Sequence, residues 1–313
     1  MFRLEVNKSL KKELKNLIFP VFLIILGLFL IYKYELNSNL AKSAILLLIG
    51  YSILEYAIGD IIPKLLNLFG KEQWKTTQRK LEREGKLQEN STIRISFAYL
   101  FRIKIDGKYF LVPNTRTGKY QPVGGAYKFN EEEARYLSKN IPVENDDCIP
   151  VDEITKRDYR LLVKNKDLRK FVKRFNKTAN RENINDLSRE FVEEIFGSGI
   201  LNRDEFGNLT YRYCGRHITD IGETVFRPFE ILLADIVEVI LTDAQKEMFR
   251  KLIKIDSEKY KFCSANEIKS LGVKVGTQEL GDCIANHTYK ILSENTDKLS
   301  WRNKYTEPFT IIL

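Results

Sequence analysis

Two apolar runs near the N-terminus dominate the hydrophobic pattern. The first extends from Leu17 to Tyr32 without a charged residue, and the second extends from Ala44 to Ile62 and stops at Pro63. At 1.5 Å per residue, each run approaches the ~30 Å thickness of a bilayer's hydrocarbon core. The pattern predicts two transmembrane helices, at about 17–33 and 42–62, joined by a tight polar loop.

Basic residues set the predicted orientation, since they precede the first run and follow the second. By the positive-inside rule, both termini are then cytoplasmic and the chain is a multi-pass protein of the cell inner membrane. A cleaved signal peptide is the alternative for the first run, but a second apolar run follows at once. After the hairpin at 1–63, the basic segment 64–90 with Trp74 predicts a juxtamembrane helix touching anionic lipid. A plain solvated linker is the alternative.

Individual residues of the apolar runs suggest further roles. Glu55 lies inside the second run, where an ionisable group is costly and by default functional. A protonated or helix-paired carboxyl is the equally favoured alternative. Gly27 and Gly50 would allow close helix contact, which predicts a homo-oligomer.

Beyond residue 90 the pattern changes to that of an α+β domain, covering 91–313. Two β-rich runs flank Asp106-Gly107, which is typical of a type I′ hairpin. A strand-like run extends from Phe226 to Leu241, and a capping box predicts a helix from Thr242 to about Lys254. A second helix is predicted from Thr277 to Glu294.

Composition narrows the possible functions. The formal net charge of +9 and the pI near 9.1 favour anionic partners such as lipid headgroups, nucleotides or nucleic acid. The four cysteines show no C-x-x-C spacing, which argues against a disulfide framework or a zinc site. His217 and His287 are far apart in the sequence and are interpreted as packed or surface residues.

The stretch REFVEEIF, Arg189 to Phe196, carries three carboxylates with helical spacing. Glu190, Glu193 and Glu194 stand at positions i, i+3 and i+4, so a helix places them on one face. Clustered negative charge needs either solvent or a cation, and hard divalent ions prefer carboxylate oxygens. Without further context, a solvated acidic face is the favoured interpretation.

Together with the turn PVGG, this stretch resembles the box of the Nudix family. Gly125 to Glu131 matches the first part of that box, G-x5-E, and Arg189 to Glu194 matches R-E-U-x-E-E with Phe191 in the aliphatic slot. The chain departs from the family by a large insertion, about 132–188, inside the box. An alternative alignment makes Glu182 the first acidic residue, one position out of register.

This resemblance implies a Nudix-like α/β/α fold and a set of site residues. Glu190, Glu193 and Glu194 would bind magnesium or manganese, while Gly124, Gly125 and Arg189 would bind the nucleotide. Glu193 and Glu194 would be catalytic if the protein is a hydrolase.

Two other segments combine basic and apolar residues. The insertion contains an amphipathic helix at Lys164 to Lys177, whose apolar face is predicted to pack on the domain. The stretch YRYCGR places arginines beside tyrosines, which would suit a phosphate and a base. A solvated face is the favoured alternative there.

A two-helix hairpin before a Nudix-like domain is similar to the transmembrane Nudix effectors (SMODS-associated Nudix domain) of CBASS anti-phage systems. The resemblance implies a receptor for a cyclic oligonucleotide, without direct DNA or RNA binding, whose hairpins oligomerise and disrupt the inner membrane. One alternative is a membrane-tethered Nudix hydrolase acting on a nucleoside diphosphate derivative or on the signal nucleotide. Another is a scaffold that binds a protein partner through the insertion.

Overall fold

The chain divides into two compact units, Met1–Glu72 and Gln73–Leu313. The computed structural model describes residues 18–33, 40–68, 73–146, 155–222, 227–273, 283–300 and 307–313.

The first unit contains two helices, α1 at 18–33 and α2 at Leu40–Leu68. They touch at a pair of glycines: a Cβ added to Gly27 would lie 3.0 Å from the Gly50 carbonyl oxygen, and one added to Gly50 would lie 3.1 Å from that of Gly27. The close helix contact expected of these residues therefore occurs within one chain. Large apolar side chains cover the outside of the pair, among them Phe19, Phe22, Ile25, Ile45 and Leu48.

The membrane predictions are wrong. Within the residues that the structure describes, no helix is long and apolar enough to cross a bilayer. The described part of α1 is only about 24 Å long at 1.5 Å per residue. Helix α2 is longer, but it includes Glu55 and Asp60, with Glu55 exposed, and it continues through Pro63 to Leu68. The predicted inner-membrane, multi-pass location is overturned with the transmembrane helices.

The second unit opens with helix α3, Gln73–Arg83. Its Trp74 is fully buried in the core of this unit, and Gln78 donates a hydrogen bond to Asn165 Oδ1 at 2.6 Å. The Trp74 side chain therefore packs on protein. The basic character of segment 64–90 had instead predicted contact with lipid.

A mixed sheet forms the centre of the second unit. Its strands follow the order β11-β8-β9-β1-β7-β6, and β5 pairs with the C-terminal half of β1. Strand β1 runs parallel to β9 and antiparallel to β7. The strands of this sheet are β1 (Thr92–Arg102), β5 (Gly124–Ala126), β6 (Val143–Asn145), β7 (Arg160–Lys164), β8 (Leu209–Ile218), β9 (Glu230–Val239) and β11 (Phe309–Ile311).

A smaller sheet, in the order β10-β3-β2 with β4 paired to β3, packs beside it. Its strands are β2 (Lys104–Ile105), β3 (Lys108–Pro113), β4 (Tyr120–Gln121) and β10 (Lys261–Cys263). The predicted β2–β3 turn is confirmed, since Asp106 and Gly107 both have positive φ, 47° and 84°.

Helices cover the sheets. They are α4 (Glu131–Asn140), α5 (Asn165–Phe175), α6 (Arg189–Phe191, continued by a π-helical turn at Val192–Gly197), α7 (Arg203–Phe206), α8 (Asp243–Ile253) and α9 (Ala265–Lys269), with 3-10 helices at Asn286–Ile291 and Ser293–Lys298. The capping box at Thr242 is confirmed. The helix predicted over Thr277 to Glu294 is wrong in its described part, which is 3-10, and its N-terminal portion lies outside the described residues.

Helix α5 confirms the amphipathic pattern of the insertion. Leu168, Phe171, Val172 and Phe175 are all buried against the sheet, and Phe175 meets the Phe97 ring edge-on at 4.7 Å between centroids. The insertion is thus part of the domain core, and its apolar face is already covered.

Candidate functional site

The predicted site forms where strand β5 meets helix α6. Gly125 lies opposite Tyr99 of β1, and the Glu190 carboxylate packs directly on Gly125. A Cβ at Gly125 would lie 2.0 Å from Glu190 Oε1. Gly124 has a φ of 145°, and a Cβ there would lie 2.2 Å from the Tyr99 carbonyl oxygen. Both glycines are therefore required by contacts that a side chain would occupy.

Arg189 links the acidic residues of the site. Its Nε donates to Glu182 Oε1 at 2.7 Å, and its Nη1 donates to Glu190 Oε1 at 2.5 Å. Its Nη2 also donates to the Ala126 carbonyl at 2.9 Å, which fixes the guanidinium against β5. Burial opposes the positive charge, but Glu182 and Glu190 raise the pKa of Arg189 well above its usual range.

The geometry favours Glu182 over Glu131 as the first acidic residue. Glu182 bonds Arg189 and also accepts from the Lys128 amide at 2.8 Å. Glu131 instead begins α4, is 66% exposed and pairs with Arg157. With Glu182 as the first acidic residue, the inserted chain lies between Gly125 and Glu182; the predicted bounds of about 132–188 belong to the alignment with Glu131.

The π-helical turn changes which carboxylates share a face. Glu194 accepts a 2.8 Å hydrogen bond from the Gly124 amide, whereas the Glu193 side chain is 54% exposed and lies 3.6 Å from Arg189 Nη1. Burial, together with the nearby Glu190 charge, raises the pKa of Glu194 to about 8. Burial also raises the pKa of Glu190, against the opposing charge of Arg189. The pair Glu190 and Glu194 thus faces the glycines, while Glu193 faces outward.

The predicted magnesium or manganese site does not fit this arrangement. Among the described residues, no group of three or more His, Cys, Asp or Glu side chains is placed to hold a metal ion. Glu190 is engaged by Arg189 and Glu194 by the Gly124 amide, while the half-exposed Glu193 lies 3.6 Å from the same Arg189 Nη1. The three carboxylates do not converge as a metal-binding set requires.

Arginines that the sequence did not single out lie next to the site. Arg160 begins β7, lies 3.3 Å from Asp158 and has its pKa lowered by burial and by the charges of Arg116 and Arg94. Arg94 pairs with Asp146 at 2.6 Å and with Glu230 at 2.5 Å. Glu190 also acts on the pKa of Arg160, which connects this arginine group to the box residues.

The YRYCGR stretch contributes to the core rather than to this site. Tyr211 and Tyr213 are buried, and Arg216 is buried in an ion pair with Asp235 at 2.8 Å. Arg212 is 56% exposed and pairs with Glu238. The remaining predicted residues, Glu55 and Gly50, belong to the first unit.

Replacing Gly125 with alanine should disrupt the site. The new methyl group displaces the Glu190 carboxylate from the guanidinium of Arg189, and we expect a loss of about 1–3 kcal/mol in the free energy of unfolding. Chemical denaturation measures the loss. Gly222→Ala serves as the control, because nothing lies within 4 Å of the added Cβ and the backbone there is outside the left-handed region. Equal losses in the two variants would contradict the packing argument.

Comparison with protein families finds one match. The model of the SMODS-associated NUDIX domain matches residues 92–292, which is more than half of the chain. A search of curated proteins finds no match.

Proposed function

Because the chain belongs to the SMODS-associated NUDIX domain family, which is linked to CBASS-type signalling systems, we propose that it is a receptor for a cyclic oligonucleotide. In this proposal the domain binds the nucleotide and leaves it intact. The observation that carries the proposal is the closure of the box carboxylates by Arg189 and the Gly124 amide.

Closure of the carboxylates favours binding over turnover. Metal-assisted cleavage of a pyrophosphate requires carboxylate oxygens that converge on a cation. Here Arg189 supplies positive charge between Glu182 and Glu190, and it occupies the carboxylates with three hydrogen bonds. The arginine takes the position of a counter-ion, so the acidic residues serve to hold the helix on β5.

The neighbouring arginines supply the phosphate-binding chemistry. The half-buried Arg160 follows Tyr159, whose amide donates to the Tyr127 carbonyl just after the glycine turn, and the charge of the exposed Arg116 acts on it. Guanidinium groups bind phosphate through paired hydrogen bonds. The net charge of +9 increases the local concentration of an anionic ligand.

The proposal includes assembly into a homo-oligomer. A ligand that binds one assembled arrangement more tightly shifts the population toward it by that difference in affinity. Mass measurement with and without the nucleotide tests this step. Membrane disruption is not part of the proposal, since no described helix is able to span a bilayer.

A Nudix hydrolase is the second candidate, and one observation favours it. Glu194 has a pKa raised to about 8 and lies beside the glycine turn, so it is poised for proton transfer near neutral pH. Glu193, half in solvent, is the remaining carboxylate that a cation would reach from outside.

The test mixes the full chain with a panel of cyclic di- and trinucleotides and Mg²⁺, and records both the bound fraction and the chemical fate of the nucleotide. We expect binding with the nucleotide intact, and a loss of affinity of about tenfold in Arg160→Gln. Arg250→Gln is the matched control, because Arg250 is exposed on α8 and pairs with Asp106.

Two results would overturn the proposal. Consumption of the nucleotide that stops in Glu193→Gln would identify a hydrolase. Absence of binding to every member of the panel would favour a scaffold that binds a protein partner.

A further inference from the structure

The chain has two histidines, and the fold brings both next to one buried lysine. The 3-10 helix Asn286–Ile291 carries His287 and Lys290 and packs on β1 and β9. His217 comes from β8, and its ring meets the ring of Tyr289 edge-on at 5.8 Å between centroids. His287 and Lys290 stand at positions i and i+3 of the 3-10 helix, so their side chains project from the same side of it. Burial lowers the pKa of both histidines, and the charge of Lys290 lowers it further.

Lys290 is a largely desolvated cation whose tip is open to a ligand. Its residue is only 6% exposed, and its ammonium group, for which no hydrogen bond or ion pair is found within the described part of the chain, keeps contact with solvent. Burial lowers the pKa of Lys290 to about 8, with Glu230 opposing, so the group still carries a positive charge for much of the time near neutral pH. A cation that is largely removed from water interacts more strongly with an anion that can reach it than a fully solvated cation does.

Buried polar atoms of these elements are unsatisfied. His217 Nδ1, and Thr288 Oγ1 of the 3-10 helix, are buried and have no hydrogen-bond partner among the described residues. Buried polar groups in native proteins are almost always paired, so the unpaired His217 Nδ1 next to this helix is available to a polar ligand.

The region around Lys290, His217 and His287 lies on one face of the central sheet. Ser96 lies between Arg160 of β7 and Leu232 of β9, and the neighbouring position of β1, Ala98, lies opposite Ala234. His217 pairs with Ala234 from the other side. Side chains directly opposite one another in a sheet share a face. Arg160 on β7 and His217 on β8 therefore lie on either side of the small residues Ser96, Ala98 and Ala234. Strands β7 and β8 are three strand spacings, or about 14 Å, apart.

We propose that Lys290, His217 and His287 form an anion-binding subsite on this sheet face, which takes a phosphate group of the bound nucleotide. The inference rests on the proposed function for its ligand, with Arg160 as the contact for another phosphate of the same molecule. A ligand with several phosphates reaches both sides of this region, whereas a mononucleotide occupies one of them. The subsite would thus select cyclic oligonucleotides by the number and spacing of their phosphates.

The test observes the two histidines directly by NMR, using the full chain without a histidine tag. Inorganic phosphate is titrated in a phosphate-free buffer, and the imidazole resonances are followed as a function of pH. A bound anion offsets the charge of Lys290, so we expect both resonances to move in a saturable manner. Both histidine pKa values should rise toward the ordinary value of about 6.5.

Lys290→Gln provides the discriminating variant. It removes the cation, so both histidine pKa values should rise without phosphate, and the response to phosphate should be lost. Lys246→Gln is the matched control, since Lys246 is on α8 and pairs with Asp243. Histidine resonances of the wild type that do not respond to phosphate would overturn the subsite, whether or not the Lys290 variant folds.

Failure of this inference is distinguishable from failure of the proposed function. If the wild type and Lys290→Gln bind a cyclic nucleotide with the same affinity, the subsite is contradicted while the receptor function stands. A wild type whose histidines respond to phosphate but which binds no cyclic nucleotide would keep the subsite and remove the receptor.

Discussion

At pH 8 the Glu194→Gln variant should be more stable than the wild type by about 2–4 kcal/mol, and the difference should shrink toward zero near pH 4. Glu194 lies under β5, where burial and the neighbouring Glu190 raise its pKa from 4.5 to about 8. Glutamine keeps the oxygen that accepts from the Gly124 amide, and it never acquires the charge.

The direction follows from proton binding in the two states. Because the folded-state pKa is raised, the folded protein holds a proton on Glu194 between pH 4.5 and 8 that the unfolded chain has lost. Stability from this group is complete below about pH 4.5 and is lost as the pH rises toward 8. Each pKa unit corresponds to about 1.36 kcal/mol, which gives roughly 5 kcal/mol as an upper limit, and partial solvent contact lowers it.

Chemical denaturation of the wild type and the variant at a series of pH values measures the effect. The quantity compared is the difference between their free energies of unfolding at each pH. Glu193→Gln is the control on the same helix, because the Glu193 side chain is 54% exposed. A Glu194→Gln variant whose stability follows that of the wild type at every pH would show that Glu194 is ionised in a solvated position.

Local signals were sufficient for several elements. The turn at Asp106-Gly107 requires two residues with positive φ, and the capping box at Thr242 satisfies a helix end within four residues, so neither depends on distant contacts. The apolar face of α5 was also predictable from the sequence. Burial of one helix face produces a 3.6-residue period of apolar residues, whatever partner that face packs against.

Hydropathy alone misassigned the N-terminal runs. Average hydrophobicity does not register that α2 carries an exposed Glu55 and continues beyond Pro63. The close helix contact at Gly27 and Gly50 was predictable, because it depends only on the missing side chains, but the structure shows it within one chain and the predicted homo-oligomer stays a prediction.

Residues distant in sequence account for the other differences. The sequence spacing selected Glu131 as the first acidic residue of the box. An insertion changes that spacing, so only the hydrogen bonds of Arg189 identify Glu182. Similarly, nothing local relates His217 to Lys290, since their proximity is created by the packing of a 3-10 helix on the sheet.

Arg216 and Asp235 form a buried ion pair in the core of the central sheet, so Asp235→Ala should cost about 3–5 kcal/mol in the free energy of unfolding. Arg216 donates to both Asp235 oxygens at 2.8 Å, and the hydroxyls of Tyr127 and Tyr213 donate to the same carboxylate at 2.9 Å. Both charged residues are at least 95% buried. Loss of Asp235 leaves the Arg216 charge in the interior without its carboxylate, with the bond to Asn176 among its other contacts.

The double variant Asp235→Leu with Arg216→Met distinguishes two quantities: the free-energy cost of an unpaired buried charge and the net contribution of the ion pair to stability. Replacement of a buried ion pair by apolar groups is often neutral, so the double variant should recover most of the stability lost by Asp235→Ala. Arg212→Ala, which removes the exposed partner of Glu238 on the same two strands, should cost less than about 1 kcal/mol, because the Arg212 side chain is 56% exposed. If the double variant remains as unstable as Asp235→Ala, the network of tyrosine hydroxyls, rather than the stranded arginine, sets the stability of the sheet next to His217.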